Sequence, residues 1–308
     1  MAQYWYFLHN PYDSESPLSP EEKDWVDKLN RIGIGYFRPL VAVTLSLKQI
    51  AVERRVELLK TIERFIFVIL RTGYAASNFQ SSVFLRKTRE LFRNEITVED
   101  VINSLNVKLN SDIDSIIKIF ITKMKKRFDD GGGFYWWNGL RYFLFEYELY
   151  LAENKGRPSG IDNWKMFISP HGQKAITIEH IFPQTPDNEY WLKHFGKFDK
   201  KQQNFLASSL GNLLPLKHSI NSSLQNDGFP DKKQKSSKRT GYNEGSLSER
   251  EVADNYTDWT AEAILERGKA LLNFMSKRWG MDITKEQCSE LLNLQFVEDG
   301  ISGNELEI

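Results

Sequence analysis

The residues of this chain best suited to chemistry lie in the segment ITIEHIFPQ, from Ile176 to Gln184. Its alternating isoleucines predict a short β-strand, and Pro183 ends the strand because proline has no N–H to donate. Glu179 and His180 therefore stand at the end of a strand, where a reactive side chain can be held rigidly and still be reached. A neutral imidazole with an ordinary pKa of about 6.5 is suited to taking a proton from water.

Two asparagines further along the chain extend this set. Asn212 opens NLLPL, which predicts a second short strand, and Asn221 follows nine residues later in HSINSSLQ, which predicts a helical turn. The predicted order is strand, long loop, strand and helix, with the histidine at the end of the first strand. Gly211 before Asn212 also predicts a turn, and a turn and a functional role are compatible.

This order resembles the ββα-metal (HNH) nuclease motif. In that family an acid before the histidine binds a divalent metal, the histidine is the general base, and a middle asparagine orients the histidine and ties the loop. A residue on the helix completes the metal site. The resemblance implies that Glu179 and Asn221 hold the metal, that His180 is the base and that Asn212 orients it. Carboxylate and amide oxygens are hard ligands, which favours Mg²⁺ or Mn²⁺. One metal with one base implies nicking, one strand per visit.

A closer resemblance is to the C-terminal HNH domain of GmrSD-type modification-dependent restriction endonucleases and related phage-defence nucleases. TIEHIFPQ, LGNLLPL, the helix LRYFLFEYEL and a final helix with the pattern W…I..R…L…W carry it, over roughly residues 135–280. It implies a DNA endonuclease of a bacterial anti-phage or restriction system. Members of that group usually begin with a ParB-like nucleotide-hydrolysing domain bearing a DGQQR-like motif, and this sequence has no such motif. The resemblance therefore implies a partner domain or subunit outside this chain.

Several residues around this set are candidates for contacts with a metal or with nucleic acid. Gln184 is interpreted as a loop hydrogen-bonding residue and His218 as a surface residue at a helix start, with an accessory role open for both. A basic run beyond the second strand would be a solvated face in most proteins, but beside a phosphodiester-cutting site it could clamp a DNA backbone. The run consists of Lys232, Lys233, Lys235, Lys238 and Arg239.

The composition restricts the classes of protein. The 308 residues contain 41 Lys and Arg against 41 Asp and Glu, so the net charge is zero and the overall balance gives no support for nucleic-acid binding. The single cysteine, Cys288, excludes an internal disulfide framework and a cysteine-rich zinc site, and it fits a reducing cytoplasm. No apolar run approaches the roughly 18 residues of a membrane span, and the start of the sequence lacks a signal-peptide pattern. We expect a soluble, cytoplasmic protein.

The predicted fold is mainly α, of the α+β class, with helices flanking a small ββα-metal core. We predict a helical connector or scaffold over residues 1–134 and the nuclease domain over residues 135–308. Within that domain the core spans about 174–230, and a C-terminal helix spans about 257–280. Thr257 is the expected cap of this last helix and Gly280 its stop.

Three helical segments before the nuclease core have recognisable patterns. A long amphipathic helix is predicted from Leu47 to Gly73. Ser19 and Thr97 are predicted as helix caps. The run FYWW, residues 134–137, is interpreted as core packing, with base stacking as the alternative.

Two other functions remain open at this stage. The chain could be a helical interaction scaffold whose HNH-like core has decayed and only binds DNA, or it could be an RNA-directed nuclease or toxin. Binding without metal-dependent cutting would favour the first alternative, and parallel DNA and RNA substrates separate the second.

Overall fold

The computed structural model describes residues 2–161, 163–168, 175–234 and 240–305, and most of them are helical. The expected fold class, mainly α with a small β content, is confirmed. The chain forms two compact units, Met1–Phe120 and Ile121–Ile308. Within the described ranges, no helix is long and apolar enough to cross a membrane.

The first unit is built from amphipathic helices with local capping signals. Ser19 and Glu22 form a capping box ahead of α2, and Thr97 caps α6 with Asp100, so both predicted caps are confirmed. The helices are α1 (Ala2–His9), α2 (Pro20–Ile32), α3 (Arg38–Ser46), α4 (Val52–Phe65), α5 (Ser81–Phe92) and α6 (Val98–Ser111), and α7 (Ile113–Asp129) contains the boundary between the units.

The long helix predicted from Leu47 is shorter in the structure. Leu47 ends α3, since its N–H bonds to the carbonyl of Val43, and the next residues form a turn closed by Ile50 N–H and the Leu47 oxygen. α4 therefore begins at Val52, and a π-helical segment, Ile66–Arg71, continues it.

The second unit surrounds one small antiparallel sheet with helices. β1 (Ile176–His180) pairs with β2 (Leu213–Lys217), so that Ile176 lies opposite Lys217 and His180 opposite Leu213. The helices are α8 (Leu140–Lys155), α9 (Trp164–Ile168), α10 (Glu189–Phe195), α11 (Lys200–Ser208), α12 (His218–Leu224), α13 (Phe229–Lys233), α14 (Leu247–Asn255), α15 (Ala261–Trp279), α16 (Lys285–Leu292) and α17 (Gln295–Glu305). α12 follows β2 directly and contacts both strands, so the predicted order of strand, loop, strand and helix is present.

Helix α15 passes very close to the turn that leads into β2. A Cβ atom added to Gly211 would lie 1.9 Å from the carbonyl oxygen of Ile264, so only glycine allows this approach. From the same helix, Arg267 donates hydrogen bonds to the backbone oxygens of Gly211 (2.6 Å) and Leu213 (3.0 Å). The start of β2 is thereby fixed against α15.

The cap of α15 differs from the prediction. Thr260, and not Thr257, accepts a hydrogen bond from the backbone of Ala263, and Gly280 ends the helix in a left-handed conformation as expected. The later start leaves Trp259 in the turn before the helix, where its indole reaches Asn212 at 2.9 Å. Tertiary contact therefore decides which threonine is the cap.

Candidate active site

Asn212 is a fully buried residue that ties the end of β1 to the start of β2. Its Oδ1 accepts hydrogen bonds from the backbone N–H of Phe182 (2.8 Å) and from Nε1–H of Trp259 (2.9 Å). Its Nδ2 donates to the backbone oxygens of Phe182 and Ala207, both at 2.9 Å. The amide is thus satisfied on both sides, and it holds the chain that leaves β1. None of these four hydrogen bonds reaches the imidazole of His180.

His180 is the last residue of β1, and its imidazole is mostly buried. The ring of Tyr135 lies against it, with 4.6 Å between the ring centroids and 44° between the planes. Its Nε2 is shielded from solvent and has no hydrogen-bond partner in the part of the chain that the structure describes. Burial and the positive charge of Lys232 lower the pKa of His180 to about 4. The imidazole is therefore neutral at pH 7 and able to accept a proton.

The carboxylate of Glu179 is paired with Lys232, the residue whose charge also acts on His180. Lys232 Nζ lies 2.6 Å from Glu179 Oε1, with the lysine side chain fully buried and the glutamate 7% exposed. The same ammonium group donates to the backbone oxygen of Ile181 at 3.1 Å. Burial raises the pKa of Glu179, and the charge of Lys232 opposes that shift. This pair joins α13 to the end of β1.

Asn221 lies on α12 and contacts the face of β1 that carries Glu179. Its Nδ2 donates a hydrogen bond to Oγ1 of Thr177 at 2.9 Å. Thr177 stands two positions before Glu179, and residues two apart in a strand share a face. Asn221 is therefore placed on the side of β1 that carries Glu179.

The donor atoms present can be compared with the needs of a divalent cation. Mg²⁺ requires near-octahedral oxygen ligands at about 2.0–2.1 Å. The Glu179 carboxylate is buried and already neutralised by the ammonium of Lys232. Among the described residues, no group of three or more His, Cys, Asp or Glu side chains could hold a metal ion. This arrangement does not fit a Mg²⁺ or Mn²⁺ ion at Glu179.

The described part of the basic run is turned toward the protein. Lys232 is fully buried, and Lys233 donates to the backbone oxygen of Tyr256 at 2.6 Å. The other three members, Lys235, Lys238 and Arg239, lie outside the described residues. The positions of Lys232 and Lys233 therefore give no support to a DNA clamp formed by these two residues.

The two accessory candidates are both exposed and lie apart from this buried network. His218 begins α12, and its Nδ1 is 3.5 Å from Oγ of Ser222. Gln184 lines a polar cleft of about 550 Å³ together with Lys200 and Lys201, the first residues of α11. The two lysines were not among the residues selected from the sequence, because they belong to no recognised motif.

The aromatic run at residues 134–137 divides between core and surface. Phe134 and Trp137 are buried, as core packing requires, whereas Tyr135 is 41% exposed and Trp136 is 58% exposed. All four residues lie in or next to the 3₁₀ turn Gly133–Trp136. The sequence allowed core packing or base stacking for this run, and the geometry of the turn shows which rings are buried and which are exposed.

Comparison with known proteins gives one family. Residues 122–274 match the family described as GmrSD restriction endonucleases, C-terminal domain. This segment of the chain belongs to that family. The resemblance seen in the sequence is thus confirmed. No curated protein and no solved structure matched the chain in the corresponding searches.

The GmrSD-type segment contains the whole of the network described above. β1, β2 and α12 lie within it, together with Asn212, Trp259 and the Lys232–Glu179 pair. Family membership makes this segment a nuclease domain of the restriction-endonuclease type, a class that acts on DNA. The whole of the first unit, Met1–Phe120, lies outside the match.

Proposed function

We propose that the second unit is a DNA endonuclease that hydrolyses phosphodiester bonds with His180 as the general base, one strand per encounter. The observation that carries this proposal is the state of His180: its neutral imidazole has an unpartnered Nε2 in the described chain, inside a GmrSD-type segment. We further propose a role in a bacterial anti-phage or modification-dependent restriction system. A ParB-like nucleotide-hydrolysing domain or subunit is the partner that such a system implies.

Hydrolysis needs an in-line water, a base that takes its proton, and stabilisation of the charge that builds on the phosphate. A water attacks phosphorus in line with the leaving oxygen, and its proton passes to Nε2 of His180 while the bond from phosphorus to the leaving oxygen breaks. A positioned general base contributes about 10²- to 10⁴-fold to such a step. The incoming phosphodiester is negatively charged, so it raises the pKa of the adjacent imidazole toward its ordinary value and strengthens the base.

Hydrogen bonds from Asn212 fix the backbone that follows His180. The side chain of Asn212 forms hydrogen bonds with both the backbone N–H and the backbone oxygen of Phe182. The N–H of Ile181 donates to the backbone oxygen of Asn212 at 3.1 Å. The residues that follow the base are therefore fixed. Because Nε2 is shielded, a neighbouring side chain must move before a substrate can reach it.

Dependence on Mg²⁺ or Mn²⁺ is also part of the proposal, on the strength of the resemblance to ββα-metal nucleases. No step above passes through an ion, because Glu179 holds Lys232 in this structure. When bound, such an ion would neutralise charge that develops on the phosphate. Asn221 remains the proposed ligand on α12.

The proposal is tested by the nicking of supercoiled plasmid with Mg²⁺ or Mn²⁺, compared with EDTA. We expect His180→Gln to slow nicking by at least about 100-fold, the contribution of a general base. His194→Gln is the matched control, because His194 also lies against a tyrosine ring, 4.5 Å from that of Tyr190. Equal rates for His180→Gln and the parent protein would exclude His180 as the base.

The pairing of Lys232 with Glu179 favours one competing function, a module that binds DNA without cutting it. A gel shift beside the plasmid assay distinguishes the two, since binding without metal-dependent nicking supports the module. RNA oligonucleotides of the same sequences, tested in parallel, report whether the nuclease acts on RNA instead.

A further inference from the structure

We propose that Tyr135 and Trp136 form an aromatic platform that stacks on an unpaired nucleotide next to the phosphate presented to His180. This inference rests on the proposed function, because it takes His180 as the group that meets the phosphate. It adds a binding site and a substrate preference: DNA with at least one unpaired nucleotide at the position of cleavage.

The exposure of these two rings is unusual in a segment whose other aromatic residues are in the core. Tyr135 is 41% exposed and Trp136 is 58% exposed, while Phe134 and Trp137 on either side are buried at 0% and 2%. The buried pair anchors the 3₁₀ turn, so the exposed pair projects from a fixed backbone. A site built on an anchored turn is more precise than one on a free loop.

Two glycines at the start of the 3₁₀ turn make room for the indole ring of Trp136 and for α11. A Cβ atom added to Gly132 would lie 1.9 Å from Cδ2 of Trp136, so the ring rests directly on the glycine backbone. A Cβ at Gly133 would lie 2.7 Å from the backbone oxygen of Ser208 in α11, and Gly133 has a φ of +43°. Glycine at these two positions brings the ring and α11 close to the turn.

The position of Tyr135 connects the platform to the proposed base. Its ring centroid is 4.6 Å from that of His180, so a phosphate that reaches the imidazole carries its own sugar and base to the same place. Stacking on an aromatic ring requires a free base face, and every base has one, so the contact tolerates all sequences. In a paired duplex these faces are covered by neighbouring bases. The nucleotide on the platform must therefore be unpaired or flipped out.

Two exposed lysines lie at the opposite end of α11 from the turn, and one of them, Lys201, has its Nζ 3.9 Å from Oδ1 of Asp129. Lys200 and Lys201 are exposed at the start of α11 and line the polar cleft that contains Gln184. The far end of α11 packs on the glycine loop, where Oγ of Ser208 donates to the backbone oxygen of Gly131 at 3.4 Å. Proteins that bind single-stranded nucleic acid combine aromatic stacking with positive charge along the backbone, and these two lysines are the candidates for that charge.

The test measures binding in EDTA, with His180→Gln present in the full-length chain so that no cleavage occurs. Fluorescence anisotropy compares a single-stranded DNA oligonucleotide, the same oligonucleotide with abasic sites, and the duplex. We expect the His180→Gln protein to prefer the intact strand over the abasic one. Adding Tyr135→Ala or Trp136→Ala should weaken binding of the intact strand by about 5- to 100-fold and remove that preference. Adding Tyr135→Phe keeps the ring and should retain it.

The lysines of the cleft provide a control of a different kind. Lys200→Gln with Lys201→Gln should weaken binding of the intact and abasic strands alike and should reduce the dependence of affinity on salt. The aromatic variants should leave the salt dependence unchanged. Gly132→Ala, which displaces the indole without removing it, should behave like Trp136→Ala.

Two results would overturn the platform: equal affinity of the His180→Gln protein for intact and abasic strands, or a preference that survives both alanine substitutions. Circular dichroism and thermal melting check the fold of each variant, and the exposed Trp136 gives a readout if Tyr135→Ala does not fold. These outcomes are separate from a failure of the proposed function. Loss of the platform appears in binding alone, whereas an incorrect base appears as plasmid nicking that persists in His180→Gln.

Discussion

Replacing Lys232 by methionine tests the buried ion pair at the end of β1. Lys232 is fully buried, and its ammonium group lies 2.6 Å from Oε1 of Glu179, which is 7% exposed. Methionine fills a similar volume without the charge, so Glu179 is left as a buried carboxylate without its cationic partner. Removing one partner of a buried pair typically costs about 3–5 kcal/mol. A glutamate can limit that cost by taking up a proton when the protein folds.

Protonation sets both the size and the pH dependence of the effect. In the unfolded chain the glutamate has a pKa of about 4.3, so protonating it at pH 7 costs about 4 kcal/mol and at pH 5 about 1 kcal/mol. In Lys232→Met the folded-state pKa of Glu179 is raised far above the unfolded value. Stability is therefore fully present below pH 4.3 and is lost as the pH rises, by about 1.4 kcal/mol per pH unit.

Urea denaturation of the parent and Lys232→Met at pH 5, 6 and 7 measures this difference. Lys233→Met is the control on the same helix, because Lys233 bonds to a backbone oxygen of Tyr256 and not to a carboxylate. Its cost should be about 1 kcal/mol at every pH. Combining Lys232→Met with Glu179→Gln should remove the pH dependence. A cost below 1 kcal/mol at pH 7, or one that does not change with pH, would refute the ion pair as the cause.

Two further predictions concern the neighbouring motif residues. Asn212→Asp replaces the Nδ2 donor by an oxygen that faces the carbonyl oxygens of Phe182 and Ala207. Urea denaturation should therefore show a free energy of unfolding lower by at least about 3 kcal/mol. Asn204→Asp, at an exposed position, is the control and should be nearly neutral. His180 has a folded-state pKa of about 4, below its unfolded value of about 6.5. Its contribution to the free energy of unfolding is therefore complete above pH 6.5, and it falls by about 3 kcal/mol as the pH drops to 4. His180→Gln should lack this loss in pH-dependent denaturation, and an unchanged pH profile would contradict the burial of a neutral imidazole.

Local sequence signals predicted the elements of the site well. The alternating isoleucines and Pro183 place β1 correctly from Ile176 to His180, and β2 is displaced by only one residue. The caps at Ser19 and Thr97 were predicted from local patterns of four residues, because a capping box needs no contact with distant parts of the chain. At α15 the sequence pattern predicted Thr257 as the cap, whereas the cap in the structure is Thr260, next to Trp259 and its contact with Asn212.

Contacts between distant residues were beyond the reach of the sequence. Lys232 belongs to a run of cations, and such a run predicts a solvated face. Its partner Glu179 stands 53 residues earlier, and no spacing rule connects the two. The same limit applies to the aromatic run, because its composition does not say which rings the 3₁₀ turn exposes. Burial of charge and exposure of aromatic residues are the two features that only the assembled fold reveals.

The contrast among the motif residues themselves is the strongest argument about function. The side chain of Asn212 forms four hydrogen bonds, so the fold alone would require it. The fold also requires Gly211, because a side chain there would clash with α15. Glu179 is satisfied by Lys232. A histidine kept for structure would be expected to use its buried nitrogen in the same way, although some other buried polar atoms of the described residues, such as Oγ of Ser209, also have no partner. Nε2 of His180 has none within the described chain, so His180 is the member of the motif whose presence the fold does not explain.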